Sequence, residues 1–274
     1  MSGFEGFSDD ARSFSRRRAL WLAGAAGLGV VASACSTGDS GGPPADSATA
    51  VAQPIDPAPI PEVVVEPAPV VAAAPATLLC RDSWGAAAPR SGGRPHTVNR
   101  LTLHHTAVTL GDNSNAPARL RQHQAFHQNQ HGWIDIAYHV SVDREGNIYE
   151  LRSYDLAGDT ATEYDPAGHF LVLCEGNFDE ELVSDAQLEG AAKAFAWAAQ
   201  HFGVSTETLK GHRDVAPGTA CPGEDLYSYL TSGILKGKVD ALIAAGGVDL
   251  QTICGPGADE AVAAIEAGVQ LPPG

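Results

Sequence analysis

His169-Phe170-Leu171-Val172-Leu173-Cys174 is the stretch that decides the fold. Six residues of near-continuous apolar character are too few for a helix core. A strand solvated on one face would alternate, so this run predicts a central strand buried on both faces. A strand buried twice needs layers above and below it, and the flanking sequence supplies them. Ser184-Asp185-Ala186-Gln187 has the form of a capping box. Behind it Leu188, Ala191, Phe195, Ala199 and Phe202 recur at helical spacing until Gly203 ends the pattern. Those aromatics read as core.

Upstream, residues 134–142 read as a strand with Ile136, Tyr138, Val140 and Val142 on one face, so Tyr138 is expected to point inward. A turn at Asp143-Arg144-Glu145-Gly146-Asn147 leads into a second run, Ile148 to Leu151. Arg100 to Thr106 predicts a strand with Leu101 and Leu103 on one face and Thr102, His104 and Thr106 on the other. Asn115-Ala116-Pro117 opens a helix that carries Leu120, Gln124 and His127 along one line and stops near His131-Gly132. Asp225 to Ala244 reads as one or two further helices. The expected architecture is α/β: a single mixed sheet flanked by helices, in one domain over residues 78–245. Residues 246–274 read as a tail with a short Ala-rich helix.

The chain has 274 residues and a formal charge of −16. No basic run lies outside the extreme N-terminus, so nucleic-acid binding is not expected, since phosphate neutralisation requires a positive face. Residues 1–35 read as an export signal: Arg16-Arg17-Arg18 precedes a modest apolar run, Ala19 to Ala34, too short and too weakly apolar for a comfortable span. An N-terminal anchor helix is the competing reading. Ala32-Ser33-Ala34-Cys35 resembles a lipoprotein box, although Ala32 stands where a larger aliphatic is usual. Residues 36–77 form a linker holding nine of the 18 prolines. Extended at about 3.1 Å per residue, it reaches on the order of 130 Å.

Export makes disulfides admissible. Of the 5 cysteines, Cys35 falls in the lipoprotein box and Cys174 in the apolar run. Cys221 has a different neighbourhood, Gly211-His212-Arg213-Asp214-Val215-Ala216-Pro217-Gly218-Thr219-Ala220-Cys221-Pro222. A thiol and an imidazole on one loop are the ligand pairing that suits zinc. The same stretch, read alone, also fits a buried thiol and a hydrogen-bonding imidazole. A third ligand would have to come from elsewhere, and His104-His105 at the end of a strand is the obvious donor. With Cys221 assigned to metal, elimination leaves Cys80 and Cys254 to bridge the two ends of the domain.

Several blocks recur together in order: Arg81-Asp82-Ser83-Trp84-Gly85, Leu103-His104-His105-Thr106, Gly132-Trp133-Ile134-Asp135-Ile136-Ala137-Tyr138-His139, Glu175-Gly176-Asn177-Phe178, Gly211-His212-Arg213-Asp214 and Ala220-Cys221-Pro222-Gly223. Together they resemble the N-acetylmuramoyl-L-alanine amidase and peptidoglycan recognition protein family, over roughly residues 78–230. The resemblance implies Zn2+ held by His104, His212 and Cys221, with Tyr138 and Thr219 assisting catalysis. It implies hydrolysis of the amide joining N-acetylmuramic acid to L-alanine. The alternative it leaves is a recognition module that binds wall fragments without cutting them. Non-catalytic members typically lose the cysteine ligand, which this chain keeps.

His105 is expected to face the other side of its strand. His127 and His139 are expected to be structural, and Trp133 to lie in the core. The block Gly158-Asp159-Thr160-Ala161 departs from the His-containing block usual in relatives. The partners expected are peptidoglycan or muropeptides and, through a lipid on Cys35, the outer face of the cytoplasmic membrane. Secretion is the expectation without that lipid, and a monomer is expected in either case.

Overall fold

A computed structural model describes residues 72–272. The expected export signal at residues 1–35, the lipid-bearing Cys35 and the linker as far as residue 71 lie outside the described residues. Within them, seven strands make one sheet: β1 (Ala74–Leu79), β2 (Arg100–His105), β3 (Val140–Val142), β4 (Ile148–Glu150), β5 (His169–Cys174), β6 (Lys210–Gly211) and β7 (Val248–Ile253). Their order is β6-β2-β5-β3-β4-β1-β7. Only the β3–β4 hairpin is antiparallel, so the sheet is mixed, as expected.

Every residue of β5 is buried. Its side chains part to the two faces as a pleat requires. Phe170, Val172 and Cys174 enter a core shared with Leu188, Ala191 and Phe195 of helix α2 (Asp185–Phe202). Leu173 enters the opposite core with Leu120 of α1 (Ala116–Asn129), Trp84, and Val262 and Ile265. A strand walled by apolar residues on both faces must satisfy its backbone groups sideways, in the ladders to β2 and β3 and in bonds to His139 and Thr106 just beyond them.

Helix α2 begins and ends where the sequence indicates. Ser184 accepts the Gln187 N–H at 3.0 Å, and Gly203 takes the left-handed conformation at φ 64°. The other half of the capping box is diverted. The Gln187 side chain donates to the carbonyls of Val142 and Glu175, tying α2 to the ends of β3 and β5.

Three segments differ from expectation. Residues 134–139 do not join a strand, because the Asp135 and Ile136 carbonyls accept from the Arg152 guanidinium instead of a neighbouring chain. Residues 74–77, read as linker, pair with β7 as part of β1. Residues 248–253, read as tail, form β7, and the helix after it, α6 (Pro256–Glu266), buries Ala258, Val262 and Ile265. Cys80 and Cys254 form a disulfide with Cα atoms 5.4 Å apart, the pairing expected by elimination. Cys174 is free and buried. Between α2 and β7 run the four-residue helix α3 (His212–Val215), α4 (Glu224–Thr231) and α5 (Ile234–Ala244).

Candidate metal centre

The register of β6 on β2 brings two distant histidines together. Gly211 pairs with Leu103 in a parallel ladder, so the next residue of each strand, His212 and His104, arrives side by side. Neighbouring strands lie about 4.8 Å apart, and the two imidazole centroids are 4.6 Å apart. His104 sits on the face of β2 opposite Leu101 and Leu103, both of which are core residues.

The third group arrives on the loop after α3. Arg213 N donates to Cys221 O at 2.9 Å, which folds the loop back over the helix it has just left. Thr219 Oγ1 accepts the Cys221 N–H at 3.1 Å. The Cys221 sulfur accepts the His105 N–H at 3.4 Å and lies 3.6 Å from His104 Nδ1. Gly223 makes the exit possible. It has φ 87°, and a Cβ there would stand 2.9 Å from His105 Nδ1 and 2.8 Å from Phe178.

His104, His212 and Cys221 each offer one donor atom, and these atoms all lie within 4.8 Å of one another. All three residues are buried. Burial keeps them uncharged: it holds His104 well below the ordinary imidazole value, lowers His212 to about 4 and pushes the Cys221 thiol up to about 12. Two neutral imidazoles offer lone pairs, and a divalent cation is the partner that offsets the cost of a buried thiolate. His104 Nε2 is buried without a hydrogen-bond partner. His212 Nε2, by contrast, is 2.7 Å from Thr162 Oγ1, which leaves Nδ1 for the cluster. This donor set of two uncharged imidazoles and a thiol fits zinc, and the His104 nitrogen beside the thiol is Nδ1.

The Tyr138 ring centroid lies 5.0 Å from that of His104. Tyr138 is half-buried: it packs against the core that holds Leu120 and Ile136, inward as expected, and stands beside the cluster. His105 faces the other core, as expected, where Nδ1 accepts the Phe178 N–H at 3.4 Å. His139 is structural: its two nitrogens meet Leu156 O and Leu171 N. His127 Nδ1 accepts the Ala137 N–H at 3.2 Å. Trp133 does not lie in the core. It stacks on His131 with centroids 4.3 Å apart and lines a cleft of about 700 Å³ beside the cluster.

That cleft has Arg94, Asp159, Thr160, Thr162 and Tyr164 among its walls. The Tyr164 ring is 5.0 Å from that of His212. Thr162 and Tyr164 touch the cluster and escaped the sequence reading. The one signal near them was the departure at Gly158-Asp159-Thr160-Ala161.

The mixed sheet thus carries, at one edge, a cluster of two imidazoles and a thiol that could hold a metal ion. A profile of the family described as N-acetylmuramoyl-L-alanine amidase matches residues 94–224, a span that includes all three donors. Mouse peptidoglycan recognition protein 1 is 30% identical over 161 residues, covering 57% of this chain and 86% of the relative. The pig N-acetylmuramoyl-L-alanine amidase is 33% identical over 158 residues, covering 55% of this chain; the chain spans only 26% of that relative. A variant of Drosophila PGRP-LB in complex with tracheal cytotoxin superposes with a TM-score of 0.51 at 26% identity, over 57% of this chain and 93% of that one. The chain belongs to the N-acetylmuramoyl-L-alanine amidase and peptidoglycan recognition protein family.

Proposed function

We propose that this chain is a zinc-dependent N-acetylmuramoyl-L-alanine amidase, hydrolysing the amide between the lactyl group of N-acetylmuramic acid and L-alanine in peptidoglycan. The observation that carries this reading is the convergence of His104, His212 and Cys221, all buried, with their donor atoms within 4.8 Å of one another. Three protein donors leave the fourth position of a tetrahedral site open, the pattern of a catalytic and not a structural centre. Bound zinc supplies Lewis-acid activation of water and polarisation of the scissile carbonyl.

The chain's own residues do the rest. Tyr138, beside His104, presents its hydroxyl to the carbonyl oxygen as negative charge develops there. Thr219 holds the Cys221 loop through its hydroxyl oxygen and keeps the hydroxyl proton for a substrate acceptor. The cleft beside the cluster takes the stem peptide, a reading supported by the tracheal cytotoxin bound to the Drosophila relative. The reading extends to place. The signal at residues 1–35 would export the protein, and a lipid on Cys35 would hold it at the outer face of the cytoplasmic membrane, with residues 36–71 as spacer.

The test is mass spectrometry of purified muropeptides incubated with the zinc-loaded chain, with and without chelator. Release of a stem peptide bearing a free L-alanine amine, lost on chelation, is the expected result. Binding of the same fragments without release, indifferent to chelator, would make the chain a recognition module.

A further inference from the structure

His212 is held from behind by two hydroxyls in series. Thr162 belongs to the segment between β4 and β5, and its Oγ1 lies 2.7 Å from His212 Nε2. Thr160 Oγ1 lies 2.8 Å from Thr162 Oγ1 and also accepts the Thr162 backbone N–H at 3.1 Å. The Tyr164 ring packs against the same imidazole.

Two proton orders satisfy such a chain. In the first, His212 Nε2–H donates to Thr162, Thr162 donates to Thr160, and Nδ1 keeps its lone pair. In the second, Thr160 donates to Thr162, Thr162 donates to Nε2, and Nδ1 carries the proton and cannot ligate. A hydroxyl oxygen has two acceptor positions, so Thr160 can take the Thr162 O–H along with the Thr162 N–H. The first order therefore leaves no group unsatisfied: the Thr160 proton is free to point into the cleft that Thr160 lines. A ligating histidine needs such an acceptor behind it, because the hydrogen bond at one nitrogen decides which way the other faces.

We propose that Thr162, backed by Thr160, is a positioning residue. The hydroxyl pair fixes the His212 proton on Nε2, aims Nδ1 at His104 and Cys221, and so sets the affinity of the cluster for zinc. The proposal rests on the metal-centre reading above. It assigns a role to Thr162, on which the sequence reading was silent.

The experiment measures the zinc dissociation constant of the full chain by competition with a chromophoric chelator. A second readout is the visible spectrum of the cobalt-substituted protein, which reports ligand geometry without turnover. Thr162→Val keeps the shape and removes the hydroxyl; it should weaken zinc binding about 10–100-fold and shift the cobalt bands. Thr162→Ser keeps the hydroxyl and should stay within about threefold of wild type. Wild-type affinity and an unchanged cobalt spectrum in Thr162→Val would overturn the proposal. If that variant unfolds, Thr160→Val carries the test. It leaves Thr162 in place, and unweakened zinc binding there overturns the relay. A wild-type chain that binds no zinc at all overturns the metal-centre reading itself, so the two failures are distinct.

Discussion

At one edge of the sheet, two-residue β6 lies beside β2 and delivers His212 to His104; at the other, six-residue β7 lies along β1 and Cys254 closes on Cys80. The β7 edge is held by a ladder, a covalent link and the apolar underside of α6. The β6 edge is held by a two-residue ladder to β2 and by side-chain hydrogen bonds, with no covalent link among the described residues. Among the described residues, five buried side-chain polar atoms lack partners: His104 Nε2, Tyr164 Oη and Arg213 Nε belong to residues at or next to the cluster, while Glu175 Oε2 and Gln187 Oε1 lie where β5 ends and α2 begins. None of the unpartnered atoms belongs to β1, β7 or α6. Buried orphans are costly. Three of the five lie on the cluster side of the sheet and none at the cross-linked edge, so the two edges differ in how fully their buried polar groups are satisfied.

That contrast breaks most readily at the cluster. Cys221→Ala or His212→Ala should abolish zinc binding and lower amidase turnover by about 10⁴-fold or more, since Lewis-acid stabilisation supplies several kcal/mol. Unfolding of the metal-free chain should move little. Metal analysis and muropeptide turnover check the pair, and retained turnover would refute the assignment. The converse change acts at the far edge. Replacing both Cys80 and Cys254 by serine opens a cross-link spanning 174 positions. On the loop-entropy account this lowers stability by about 5 kcal/mol, measured by urea unfolding. Zinc affinity of the folded protein should stay the same, and a matching loss of affinity would show the edges to be coupled.

A finer division lies inside the cluster. Tyr138→Phe keeps the ring against His104 and removes the hydroxyl. It should lower kcat about 10²–10³-fold, the range for one lost oxyanion donor, with zinc content unchanged. The smallest effect sits between the edges, at Glu175. Burial raises its carboxyl to about 8, so the folded chain holds a proton that the unfolded chain releases near 4.5. Stability from this group is present below about 4.5 and is lost as pH rises through about 8. Glu175→Gln should flatten the fall in melting temperature between pH 5.5 and 8.5, read by calorimetry, and an unchanged slope would show the carboxyl to be ionised in the fold.

Much of this was legible in the sequence, for reasons that differ by element. Strand β5 and helix α2 announce themselves through local pattern and caps. Strand β7 does not: Val-Asp-Leu-Gln-Thr-Ile follows two glycines and precedes Gly-Pro, and its partner β1 lies some 170 positions away. The three donors could be named from their chemistry and from the family resemblance, but the reason they meet is the pairing of Leu103 with Gly211, a fact of topology. Tyr138 was expected inside a strand. The guanidinium of Arg152 takes up the Asp135 and Ile136 carbonyls, the strand starts only at Val140, and the tyrosine lies before it, beside His104. Thr162 carried no signal, because a threonine in a turn is ordinary composition and its meaning lies in a histidine fifty residues on.

The position of the Cys80–Cys254 bond has a mechanical consequence. Whatever precedes Ala74 joins the sheet through β1, which lies four strands from β2. Tension applied there would peel at most the six residues of β1 before meeting the cross-link at Cys80, which passes the load to Cys254 and the base of α6. The His104–His212 pair stands aside from that line of force, so the protein can be pulled by its N-terminal side without opening the edge that holds the His104, His212 and Cys221 cluster.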